Sequence, residues 1–117
     1  MKTLKFKQNL VEKILSGEKT STWRLFDDKD LQNGDELLLI NKDTGAEFGT
    51  ARITALKVKT LQTLTDEDWV GHEKYISKEE MLATYRGYYG DKVNEKSEVK
   101  IIYFTFRASS KNMPKSN

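Results

Sequence analysis

Apolar positions alternate with lysines at the start of the chain. Leu4 and Phe6 stand between Lys2, Lys5 and Lys7, the two-residue period of a half-buried strand. From Leu10 the period lengthens: Leu10, Val11, Ile14 and Leu15 share one helical face, and Gly17 is placed to end that helix in a left-handed cap. KTSTWRL, rich in β-branched and aromatic residues, predicts a second strand. DDKDLQNGD is turn chemistry, with Asn33-Gly34 its strongest signal. ELLLI then predicts a buried strand, NKDTGAE a turn, and FGTARITALKVKTL a long strand bent near Gly49.

The pattern changes after Leu64. Thr65 with Asp68 predicts a cap for a helical insertion through DEDWVGHE. Ser77 with Glu80 forms a capping box opening KEEMLATYRGYYG, in which Met81, Leu82 and Tyr85 make an apolar stripe and Gly90 a stop. VKIIYFTF sets Val99, Ile101 and Tyr103 on one side and Ile102, Phe104 and Phe106 on the other. A strand apolar on both faces is buried on both, which places it inside a sheet or barrel. Residues 108–117, ASSKNMPKSN, read as a disordered tail, leaving 1–107 as a single domain without internal repeat or linker. Five or six strands with two helical insertions predict a mainly β, α+β domain: a small β-barrel capped by helices. An open α+β sheet is the alternative that periodicity leaves standing.

Composition narrows the class. One hundred and seventeen residues suffice for one core. No apolar run reaches the roughly 18 residues of a membrane span, and charges interrupt MKTLKFKQNL too often for a secretory signal. Cysteine is absent, which excludes disulfide and thiol chemistry and fits a cytoplasmic home. The net charge of +2 comes from Lys111 and Lys115 in the tail, so the body is neutral and bulk charge gives no argument for nucleic acid. Its distribution is uneven: Lys2, Lys5, Lys7, Lys13, Lys19 and Arg24 face only Glu12 and Glu18 in the first 25 residues. That is a basic face or simply a solvated strand surface.

Candidate chemistry concentrates in GEKTSTWR, residues 17–24. Thr22 and Arg24, two apart, share a strand face. Lys19 joins them only from the turn before the strand or through a bulge. Arg24 offers a planar cationic fork for phosphate, carboxylate or a base edge, or a salt bridge to Asp27, Asp28 or Asp30. Trp23 alternates toward the core. Trp69 is the better candidate for stacking on a base, although capping the barrel is the plainer role. His72 is the only histidine, and no second histidine or cysteine stands near it, so no metal site is expected. It reads as a surface helix residue or as a pocket donor. Tyr85 and Tyr89 seal the helix onto the barrel or, with Arg86 and Tyr88, contact nucleic acid. No glycine-rich phosphate cradle occurs, and no cofactor is indicated.

The helix ending LSGEKTSTWR and the following LQNGDELLL resemble the ASCH family of small domains with the PUA-like barrel fold. The resemblance runs from about Leu4 to Phe106. It is carried by G-x-K-T-x-T-x-R, here Gly17, Lys19, Thr20, Thr22 and Arg24, and by Asn33 to Asp35. It implies a PUA-like barrel and a partner that is RNA or a modified nucleoside. One small bacterial branch of the family hydrolyses the amide of N4-acetylcytidine with a lysine, a threonine and a glutamate. Carried over, the lysine falls on Lys19 and the threonine on Thr22. An ungapped reading puts His72 at the acid's position; a one-residue shift restores it as Glu73. The expected cleft is thus lined by Lys19, Thr22 and Glu73, with Thr20, Arg24, Trp69 and His72 as ligand contacts, in a monomer.

Overall fold

The computed structural model describes residues 1–108. Ala108, expected to open the tail, is instead the last residue of a strand, and the rest of that tail lies outside the described residues. In chain order the elements are β1 (Lys2–Phe6), α1 (Gln8–Ser16), β2 (Ser21–Leu25), β3 (Glu36–Asn41), β4 (Glu47–Thr60), α2 (Lys78–Tyr89) and β5 (Glu98–Ala108). Two short 3-10 turns, Leu61–Thr63 and Asp66–Trp69, separate β4 from α2.

The five strands form one sheet in the order β1-β3-β4-β5-β2. Only β1 and β3 run parallel; the other three pairings are antiparallel. The sheet curls into a half-barrel because its central strand is irregular on both sides. Register shifts occur at Leu39/Ile40, opposite Glu47 and Gly49, and at Ile53/Ala55 against β5. Each extra residue sharpens bend and twist. The bend predicted near Gly49 therefore has a second component five residues later. Curling brings the two sheet edges together without joining them in a ladder. Arg24 Nη2 of β2 donates to the Lys5 carbonyl of β1 at 3.3 Å, and its guanidinium lies 5.0 Å from the Phe6 ring centroid.

β5 divides the core as its sequence implies. Ile102 and Phe104 join Leu4, Leu37, Ile53 and the α1 residues Val11 and Ile14. Val99 and Ile101 join Trp23, Leu25 and the α2 residues Met81 and Tyr85. Burying a side chain such as Ile102 contributes about 1.5–3 kcal/mol. Gly17 takes φ 86°, ending α1 in the expected left-handed cap, and Ser77 Oγ accepts from Glu80 N at 3.1 Å to start α2.

The helical insertion predicted after Thr65 is only a single 3-10 turn. Thr65 and Asp68 do cap it reciprocally, but Gly71 at φ 77° turns the chain out of it. Residues 72–76 then run as a strap without regular structure. No helix among the described residues is long and apolar enough to cross a membrane.

Candidate functional site

The left-handed cap at Gly17 reverses the chain so that Lys19 N donates to Lys13 O at 3.0 Å. Lys19 thus sits in the turn ahead of β2, free of the strand alternation that would point it away from Thr22. The strap is clamped over this turn. Thr20 N and Ser21 N both donate to Gly71 O, at 2.9 and 3.1 Å, and Ser21 Oγ donates to Val70 O at 3.2 Å. A Cβ at position 71 would collide with Thr20 Oγ1, so the close approach needs glycine for space as well as for its φ.

This clamp delivers His72 and Glu73 to the motif. Lys19, 3% exposed, reaches Glu73 Oε2 with its ammonium at 2.7 Å. Burial pushes the Lys19 ammonium below its ordinary range, and the Glu73 carboxylate only partly restores it. Burial pushes the Glu73 carboxyl upward, but His72 and Lys19 outweigh it and hold the group below the usual carboxylate range. The carboxylate in contact with Lys19 is that of Glu73.

His72 is not a surface histidine. It is 8% exposed, because Gly71 ends the helical turn and the strap lays the ring on Trp23, 4.1 Å between centroids and 18° from parallel. Burial lowers its pKa to about 4, so the ring is neutral at pH 7. Nδ1 lies 2.8 Å from the Glu73 carbonyl oxygen, an acceptor, so Nδ1 carries the hydrogen. Nε2 is then a bare acceptor 3.5 Å from Glu73 Oε1. Two acceptors side by side make a seat for an N–H donor.

A cleft of about 200 Å³ opens at the seam between the sheet edges. Thr22, His72 and Glu73 line it, Trp23, Tyr75 and Tyr85 are among its aromatic walls, and Lys5, Lys7, Arg24 and Lys42 supply positive charge. Thr22 is 5% exposed. Trp23 Nε1 and Arg24 Nε are both buried without a hydrogen-bond partner among the described residues. Among the described residues Arg24 forms none of the salt bridges open to it in the sequence: Asp27 binds Lys100 at 2.8 Å instead. A larger cavity, about 790 Å³, lies beyond Tyr75, lined by Leu61, Leu64, Trp69 and Met81 among others. It holds none of the motif residues, so size does not single out the chemistry here.

The predicted site residues therefore divide. Lys19, Thr22, Arg24, His72 and Glu73 come together at or just behind the seam cleft. Thr20 is exposed and bound to the strap rather than lining the cleft. Trp69 packs edge-on against Trp23 at 4.6 Å and lines the larger cavity. Sequence reading missed Trp23 as a cleft wall, because an alternating tryptophan reads as core, and it is both. Tyr75 and Lys42 carried no local signal. Among the described residues no group of three or more His, Asp or Glu side chains could hold a metal ion.

No family model and no curated protein sequence matches this chain. Solved structures do. A DUF984 protein of Enterococcus faecalis V583 superposes with a TM-score of 0.73 at 13% identity, covering 92% of this chain and 76% of its own. The ASCH domain of Lactobacillus crispatus JV V101 gives 0.66 at 18% identity, covering 86% and 72%. ASCH from Zymomonas mobilis gives 0.60 at 18%, covering 88% and 65%. At such identities the similarity is one of fold: the chain has the ASCH fold.

Proposed function

We propose that this ASCH-fold chain is a binding protein for RNA or a modified nucleoside, taking one nucleobase into the seam cleft. The observation that carries this reading is the pair of orphaned donors, Trp23 Nε1 and Arg24 Nε, on residues of an aromatic-walled cleft of about 200 Å³. A buried donor without a partner costs about 1–3 kcal/mol. A planar ligand edged with carbonyl oxygens relieves that cost while stacking on the aromatic walls. The His72 and Glu73 acceptors suit an amine on the same ligand. Lys5, Lys7 and Lys42 suit phosphate or ribose at the mouth. The same reading has the protein acting as a cytoplasmic monomer.

A second reading, an amidohydrolase acting on an N4-acylated cytidine, is favoured by the Lys19–Glu73 contact, since Glu73 and Thr22 line the same cleft. Thr22 Oγ1 would attack the acyl carbon while Lys19, in its neutral form, takes the hydroxyl proton. The C–N bond breaks, the departing amine receives that proton, and water hydrolyses the threonyl ester to free acid and threonine. Burial supplies the lowered Lys19 pKa that this base needs; Glu73 orients it and limits the lowering.

Titration of cytidine and N4-acetylcytidine, followed by tryptophan fluorescence and by ultraviolet absorbance, tests both. Saturable quenching without absorbance change supports binding, and turnover lost in Thr22→Val supports hydrolysis. Neither response with either nucleoside sinks both readings.

A further inference from the structure

A second hollow, about 500 Å³, continues from the seam cleft along the outside of β1 and β2. It shares four residues with the cleft, and three of them are cationic: Lys5, Arg24, Lys42 and Tyr89. The boundary between the two hollows is therefore the place of concentrated positive charge. Beyond it lie Lys29, Lys92 and the ring of Phe26. Among the described residues none of Lys5, Lys29, Lys42 or Lys92 is held in an ion pair. Two carboxylates also line the hollow: Asp27, bound to Lys100 at 2.8 Å, and exposed Asp28.

Phe26 is unusual in two ways. It is 44% exposed, and it takes φ 52°, a left-handed conformation that bulky side chains avoid. Tyr89 meets its ring edge-on at 5.8 Å, and Lys92 Nζ lies 4.2 Å from its centroid. An aromatic ring presented this way beside unpaired cations is the combination that binds single-stranded nucleic acid.

We infer that the adjoining hollow is a second nucleotide subsite, and that the ligand is a single-stranded oligonucleotide rather than a free nucleoside. One base enters the cleft, the bridging phosphate lies against Lys5, Arg24 and Lys42, and the neighbouring base stacks on Phe26. The inference rests on the base-binding reading of the cleft. A free nucleoside leaves the boundary cations without a counter-charge and the Phe26 ring still exposed to water; a dinucleotide uses both.

The test compares cytidine, cytidine 3′-monophosphate, cytidine 5′-monophosphate and the ribodinucleotide cytidylyl-cytidine by calorimetric titration on the full chain. The dinucleotide should bind about 10-fold or more tighter than cytidine, with a salt dependence steeper by about 0.7 in log–log slope. Phe26→Ala should weaken the dinucleotide by roughly 5- to 100-fold and leave cytidine unchanged. Phe26→Gly, which also removes the backbone strain, should do the same, so a folding defect cannot mimic the result. Equal affinity for cytidine and the dinucleotide overturns the second subsite while the cleft reading stands. So does a monophosphate that matches the dinucleotide, since no base then uses Phe26. Failure of all four probes to bind overturns the cleft reading itself.

Discussion

Replacing Glu73 by glutamine removes a charge and almost no volume, and it isolates the contact on which the site is built. Lys19 is the buried partner, with 2% of its side chain exposed against 18% for Glu73. At 2.7 Å their attraction is about 6 kcal/mol for an effective dielectric constant of about 20. Stranding one member of such a pair costs about 3–5 kcal/mol. The glutamine oxygen still accepts a hydrogen bond, so Glu73→Gln belongs at the lower end, about 3 kcal/mol. That is a loss on the order of 10–20 °C in Tm for a domain this size. Lys19→Met should cost less than half as much, because the carboxylate left behind still reaches water. The double variant should recover most of the Glu73→Gln loss, giving a coupling of about 2 kcal/mol in a urea-unfolding cycle. The pH dependence has a definite sign. Burial holds the folded Lys19 pKa below 10.5, so at high pH the unfolded chain binds the proton that the folded chain has lost, and stability rises with pH. Without Glu73 that window opens at lower pH, so the Glu73→Gln deficit should shrink between pH 7 and 10. An additive cycle, or a deficit flat across that range, would refute the claim that Lys19 is buried as an ion.

Three further outcomes follow from the same geometry. The His72 ring should titrate by NMR with a midpoint near 4 and be protonated on Nδ1 at pH 7. Because the unfolded histidine takes its proton near 6.5, stability should fall by up to about 3 kcal/mol between pH 6.5 and 4; a midpoint above 6 contradicts the burial. Gly71→Ala meets Thr20 and an unfavourable φ together. It should cost about 2 kcal/mol or more by urea unfolding and weaken nucleoside binding through displacement of His72 and Glu73. Thr22→Val should keep nucleoside affinity within a few-fold in the fluorescence titration while abolishing any turnover.

Much of the fold is legible in the sequence because its strands carry strong patterns. The two-faced apolar run from Val99 to Phe106 predicts an interior strand that feeds two clusters, and β5 does so. Gly17 and Ser77 mark helix ends by chemistry that acts locally. The failures are equally local in cause. Thr65 and Asp68 signal a helix start truthfully, but nothing before Gly71 announces that the helix stops after one turn. His72 consequently reads as a surface residue when the strap buries it. In the site, the motif brings Lys19, Thr22 and Arg24 to one region because they are close in sequence. Glu73, 54 residues from Lys19, reaches it through backbone bonds to Gly71 that no side-chain pattern encodes. Lys42 and Tyr75 join the cleft only because curling and the strap bring them there, so their roles emerge only in three dimensions.

Under the proposed function, one base-sized ligand occupies the seam between β1 and β2. A titration of ¹⁵N-labelled protein with cytidine tests it most directly. Shifts should appear at the amides of Thr22, His72 and Glu73 and at the indole N–H of Trp23, the orphaned donor, with Gln62, Leu64 and Lys78 of the larger cavity unmoved. Shifts confined to that larger cavity, or none at millimolar ligand, would contradict it.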